Sequence, residues 1–304
     1  MKNTGGVVSK PIPLKQYYSW KVIRAIIKTG IINSNSMGML AGLCLALYVN
    51  NLSFVENFPV VILALIGTSF VIGGSGAINN YYDRDIDGVM ERTKIRPTVD
   101  GTINPKFAIW LGFFLVIVGV GILLTISPLT ALIGFLGFFF YVVPYTMLTK
   151  RKTIYNTEVG SISGAMPPLM GWAAISSDIF HPVAIGLFVL LFLWQPPHFY
   201  AIAIRRMEEY RAAGVPMLPV VKGIHRTKVQ AIVYIVILLF SSFLFFPYSK
   251  IIAFTMFGLT LAWLLIGVIN FNKVDAIKWA TKMFVFSLIH LTVLFVLMIV
   301  ISFI

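Results

Sequence analysis

Long apolar runs alternate along the chain with short clusters of glycine, proline and charge. Their length is that of a bilayer-crossing helix, and they lack the two-residue alternation of a half-buried strand. Nine such runs, at 30–50, 58–80, 107–126, 129–148, 159–176, 182–204, 229–247, 251–271 and 280–303, predict an all-α polytopic membrane protein. The expected architecture is a bundle of nine transmembrane helices with a central cavity open to the cytoplasmic side. Residues 1–28 read as a cytoplasmic tail, where Pro11 and Pro13 discourage an early helix, and residues 29–304 as a single transmembrane domain.

Composition agrees with this pattern. With 58% hydrophobic and only 12% charged residues, the chain is far from an ordinary soluble domain. Its one cysteine, Cys44, lies inside an apolar run, so it forms no internal disulfide and offers no metal-ligand spacing. A net charge of +13 would suggest nucleic acid in a soluble protein, but here the basic residues are sorted by position. The tail and every second connection hold 23 of the 24 Lys and Arg, leaving only Lys250 on the other side. By the positive-inside rule the N-terminus and the long connections are cytoplasmic and the C-terminus lies outside. The expected partner is therefore the lipid bilayer and not nucleic acid. A tail dominated by lysine, rather than rich in Arg and Ser, points to a bacterial cytoplasmic membrane.

Most of the candidate chemistry sits in two cytoplasmic connections. The first, 79–97, reads NNYYDRDIDGVMERTKIRP. On a continuing helix Asn79, Asp83 and Asp87 stand at i, i+4 and i+8 on one face, giving three hard oxygen ligands of the kind that suit Mg²⁺ shared with a phosphate. Arg92, Lys94, Arg96, Lys150 and Arg151 are the cations expected to meet such phosphates, whereas Asp85 falls on the opposite face. The plain alternative is that charges crowd where a membrane helix reaches water, but the four-residue repeat with one polarity argues against it. The second connection starts inside the sixth run, WQPPHFYAIAIRRMEEYRAAGVPMLP from Trp194 to Pro219. Pro196 and Pro197 are expected to distort that helix, a cost accepted where side chains or water satisfy the freed carbonyls. His198 follows directly, and an ionisable residue within a span is a functional candidate by default. His290, without charged company, reads as structural. Pro167 and Pro168 repeat the double-proline break, which suggests two bent helices on one cavity.

These motifs, with YTMLTKRKT, GAMPPLMGW and PPHFYAIAIRRMEEYRAAGVPMLP, resemble the intramembrane 4-hydroxybenzoate polyprenyltransferase superfamily and, within it, the branch that farnesylates protohaem IX. The resemblance spans nearly the whole chain. It implies a Mg²⁺ cofactor on Asn79, Asp83 and Asp87, farnesyl diphosphate and haem B as substrates, and haem O as product. A downstream haem-modifying enzyme or terminal oxidase assembly is the implied receiver. Where relatives acting on phenolic or quinone acceptors carry a second Asp-rich motif, this chain has Arg205, Arg206, Glu208 and Glu209, a change that suits an acceptor with two propionates. Tyr81, Tyr145, Trp172 and Trp194 are the aromatic candidates for shielding an allylic cation. His198 has two candidate roles, contact with haem iron or guidance of the water that captures the final cation. Two alternatives stay open at this point: an enzyme prenylating a quinone or another aromatic acceptor, and a haem transporter or delivery protein. A transporter's carboxylates would lie near mid-membrane, whereas these gather at one edge.

Overall fold

The computed structural model describes residues 19–303, so Pro11 and Pro13 lie outside the described residues. A short helix, α1 (Trp20–Ile26), precedes the first span, α2 (Thr29–Val49). Then come α3 (Phe58–Tyr82), a six-residue α4 (Arg84–Val89), α5 (Pro105–Ile126), and α6 (Pro128–Phe140), which continues as a π-helix over Tyr141–Thr149. The second half holds α7 (Asn156–Gly164), α8 (Met166–Ala173), α9 (Pro182–Arg205), the short α10 (Met207–Ala212), α11 (Leu218–Ser241), α12 (Lys250–Ile269) and α13 (Ala276–Val300).

Among the described residues eight helices are long and apolar enough to cross a membrane. The fifth expected span, 159–176, is instead two short helices in series, α7 and α8, joined at Ala165 directly before Pro167–Pro168. Proline lacks a backbone donor, and its ring crowds the preceding turn, so the helix stops and restarts. Pro196 and Pro197 behave differently: α9 runs through both without ending. Beside them the Gln195 amide donates to the Leu191 carbonyl at 2.9 Å and to the Ser161 carbonyl of α7 at 3.2 Å. The second double proline therefore marks a junction between α7 and α9 and not a break.

Helix packing relies on small residues, as expected where lipid removes the hydrophobic drive between helices. On α5 the inward stripe is Ala108, Gly112, Val116, Gly119 and Leu123, while Trp110, Phe114 and Ile117 are exposed. The closest approach joins α2 to α8, where a Cβ on Gly171 would lie 1.9 Å from the Met39 carbonyl oxygen.

Candidate active site

The i, i+4 spacing of the first motif survives in the backbone. Asp83 N–H donates to the Asn79 carbonyl at 2.9 Å and Asp87 N–H to the Asp83 carbonyl at 2.8 Å, so the ladder carries across the junction between α3 and α4. Asn79, Asp83 and Asp87 thus share a face, and all three are buried. Asp83 is only 1% exposed, a burial that demands paired charge.

Cations meet these oxygens one by one. Lys150 pairs with Asp83 Oδ2, Arg96 pairs with Asp87 Oδ2, and Lys28 donates to Asn79 Oδ1. The Asn79 amide nitrogen donates to Asp83 Oδ2 at 2.8 Å and to Thr146 Oγ1 at 3.0 Å. Thr146 is available because the π-helix lets its hydroxyl donate to the carbonyl of Tyr141, five residues back, at 2.8 Å. The same wide turn, which encloses Pro144, delivers Lys150 to Asp83. π-Turns commonly mark functional sites.

Arg151 lies on the outer side of this cluster and grips Asp85 with two hydrogen bonds, 2.6 and 2.7 Å, while also donating to the Tyr82 carbonyl. The hydrogen bonding from Arg151 holds the Asp85 carboxyl down at about 2. Asp85 is therefore a surface partner of Arg151 and not part of the buried face. Burial, reinforced by Arg96, draws the Lys28 ammonium down to about 7, with Asp83 pulling the other way.

Several sequence-predicted residues lie near this cluster without touching the carboxylates. Tyr145 packs its ring over Gly160 and lies 5.9 Å from the Lys150 ammonium. Lys94 is exposed and pairs with Glu91 at 2.8 Å. Arg92, also exposed, is close enough to Tyr210 to counter, with Lys150 and Arg206, the burial that pushes that phenol up. Tyr210 belongs to α10, and the connection after α9 closes over α4 through a small apolar cluster of Ile86, Ala203, Val215 and Met217. In that connection Arg206 pairs with Glu209 at 2.6 Å, and Glu208 pairs with Arg211.

His198 and Trp194 form a separate group on the side of α9 facing α13. Their rings stack at 4.5 Å, His198 Nδ1 lies 2.7 Å from Ser287 Oγ, and Trp194 Nε1 donates to the Ser287 carbonyl at 3.1 Å. Phe284 stacks on His198 at 5.0 Å and carries Arg205 on its ring, also at 5.0 Å. Trp172 joins neither group. It stacks on His181 at 5.0 Å and donates to the Asp178 carbonyl at 2.9 Å, beside the connection at the opposite end of the bundle.

Lys28, Thr146 and Tyr210 are additions that sequence reasoning missed. Lys28 is 51 positions from Asn79 and read there as one more topology-setting charge of the tail. The one available signal was its position as the last cation before the first span.

The donor set fits a hard cation. Asp83 Oδ1 is buried and accepts no hydrogen bond; the Arg151 guanidinium lies 3.9 Å away, beyond hydrogen-bond reach. Among the described residues no group of three or more His, Cys, Asp or Glu could hold a metal. An ion here would rest on two carboxylates and one amide oxygen, with phosphate oxygens and water completing the shell, which is the habit of Mg²⁺.

Comparison with known proteins agrees with the geometry. Residues 36–289 match the UbiA prenyltransferase family. The chain is 55% identical over 285 residues to the protoheme IX farnesyltransferase of Shouchella clausii, covering 94% of this chain and 91% of that protein. It is 48% identical over 289 residues to protoheme IX farnesyltransferase 2 of Bacillus subtilis, covering 95% and 94%. The fold matches a structure of digeranylgeranylglyceryl phosphate synthase with a TM-score of 0.74 at 18% identity, covering 93% of this chain and 98% of that one. It also matches a UbiA homolog from Archaeoglobus fulgidus bound to GPP and Mg²⁺, with a TM-score of 0.64 at 15% identity, covering 91% and 99%. The chain belongs to the UbiA prenyltransferase family, in the branch of the protoheme IX farnesyltransferases.

Proposed function

We propose that this chain transfers the farnesyl group of farnesyl diphosphate to a vinyl group of protohaem IX, with addition of water, giving haem O. The observation that carries this reading is the buried Asn79–Asp83–Asp87 face and its ring of cations, in a chain 55% identical over nearly all its length to a protoheme IX farnesyltransferase. The Archaeoglobus homolog, of the same fold and bound to GPP and Mg²⁺, supports a prenyl diphosphate and a divalent ion as ligands. The N-terminus and this end of the bundle face the cytoplasm in our reading, because the basic connections gather there.

Asp83, Asp87 and Asn79 would hold Mg²⁺, which when bound supplies charge to offset the leaving diphosphate. Lys150 and Arg96 already touch the carboxylates, so they are placed to take the diphosphate oxygens. Lys28 joins them from α1's side, and Arg92 and Arg151 extend the positive rim. Departure of diphosphate leaves an allylic cation, and the Tyr145 ring, 5.9 Å from the Lys150 ammonium, is the aromatic face assigned to it. The vinyl π electrons form the new carbon–carbon bond, and water captures the resulting cation and releases a proton. His198 and Trp194, buried and backed by Ser287 and Phe284, are assigned to the acceptor, with Arg205 and Arg206 toward its propionates.

The test offers purified protein in vesicles Mg²⁺ and farnesyl diphosphate with either haem B or 4-hydroxybenzoate, and reads the products by mass. The expected product is haem gaining one farnesyl group and one hydroxyl group. Prenylation of the phenol with none of the haem would overturn the acceptor assignment.

A further inference from the structure

Lys28 is held in an unusual way. Its backbone is left-handed, with φ +56° and ψ +58°, between the end of α1 and the start of α2. A non-glycine residue there is held by its surroundings. The surroundings are one face of α3. The Asn80 amide donates to the Ile26 carbonyl at 2.8 Å and to the Ala25 carbonyl at 3.4 Å, and Gly76 leaves room for the Ile27 carbonyl and the Lys28 stem. Thus Gly76, Asn79 and Asn80 together receive the segment that carries Lys28. The second Asn of the NN pair, which the metal motif leaves unused, positions this lysine.

The lysine occupies the one Asn79 atom able to face a metal. With Lys150 on Asp83 and Arg96 on Asp87, three cations cover two carboxylates and an amide oxygen. A divalent ion arriving alone would enter a pocket whose charge is already more than balanced. A diphosphate brings several negative charges and gives each cation a better partner. On this basis we propose that Lys28 is a resident counter-cation of the metal site, positioned by Asn80. It rests on Asn79 Oδ1 until diphosphate arrives, then moves to the diphosphate and frees that oxygen, so metal and diphosphate bind as a coupled pair. The inference rests on the metal–diphosphate reading above.

The test measures Mn²⁺ binding to the full chain by electron paramagnetic resonance, with and without inorganic diphosphate. In the wild type diphosphate should tighten Mn²⁺ binding by about tenfold or more, within the usual span of coupling between sites. Lys28→Gly, which the left-handed backbone accommodates, should bind Mn²⁺ alone more tightly than the wild type and inorganic diphosphate more weakly. Lys28→Met should repeat this and Lys28→Arg should keep the wild-type pattern. A purely structural lysine would move both ligands in the same direction. If both neutral variants bind Mn²⁺ alone no more tightly than the wild type, the counter-cation role is overturned. Asp83→Asn separates the two ideas: if it leaves Mn²⁺ binding intact, the metal site itself is misplaced, whereas if it abolishes binding while the Lys28 variants change nothing, only this inference fails.

Discussion

Asp83 and Asp85 are two positions apart, yet their surroundings assign them opposite work. Asp83 is buried between Lys150 and the Asn79 amide, with one oxygen free of any hydrogen bond, while Asp85 lies outside and is held by Arg151. Losing the charge of Asp83 or Asp87 should lower the farnesylation rate by about 10²–10³-fold, the usual effect of removing a group that stabilises charge in the transition state. Asp85→Asn should cost well under tenfold, measured in the same assay with helical content confirmed by circular dichroism. The Asp85 carboxyl is depressed to about 2 by its Arg151 hydrogen bond. A depressed carboxyl contributes above its unfolded value, near 3.9, and loses that contribution as pH falls toward 2. Between pH 5 and 8, then, Asp85 should add no inflection to the activity profile, and wild type and Asp85→Asn should give profiles of the same shape.

Elements bring these residues together, and they differ in how much of themselves the sequence displays. The spacing of Asn79, Asp83 and Asp87 was legible because it rests on local helical periodicity, and the hydrogen-bond ladder from 79 to 87 keeps it. The halted fifth run was partly legible, since Pro167 and Pro168 announced a break, but the same signal failed at Pro196 and Pro197, where α9 continues. The π-helix of Tyr141–Thr149 carries no period of its own in the sequence, so neither Thr146 on Asn79 nor the approach of Lys150 could be read from it. Lys28 was hidden for another reason: its contact depends on a left-handed backbone and on a distant partner. Among the packing contacts, the join of α2 to α8 has the least tolerance. Gly171→Ala would set a methyl group 1.9 Å from the Met39 carbonyl oxygen, forcing the helices apart at a cost of about 1–3 kcal/mol. It should lower the thermal midpoint in detergent and, because α8 continues α7 beneath Tyr145, lower activity with it.

At the scale of the whole molecule, the fold separates an apolar exterior from one strongly basic end. Exposed Trp110, Phe114 and Ile117 on α5 belong to lipid, and the cations of alternate connections belong to the other environment. This arrangement places both chemically rich connections on one side of the membrane, where an amphiphilic diphosphate and an amphiphilic haem can meet. Cys44 is fully buried, so introduced thiols can report the sidedness. In intact cells an impermeant maleimide should label Ser53→Cys, and should reach Asn272→Cys only after permeabilisation; the reverse pattern would invert the orientation. We assign the Asn79–Asp83–Asp87 face as the metal site at which haem is farnesylated. The most direct test of this assignment is the Mg²⁺ dependence of single-turnover farnesylation of haem B, compared between wild type and folded Asp83→Asn. Product is expected in the wild type only when divalent metal is present, with a loss in Asp83→Asn that added Mg²⁺ does not restore. Product formed equally well in the chelated wild type, or by Asp83→Asn at the wild-type rate, would contradict it.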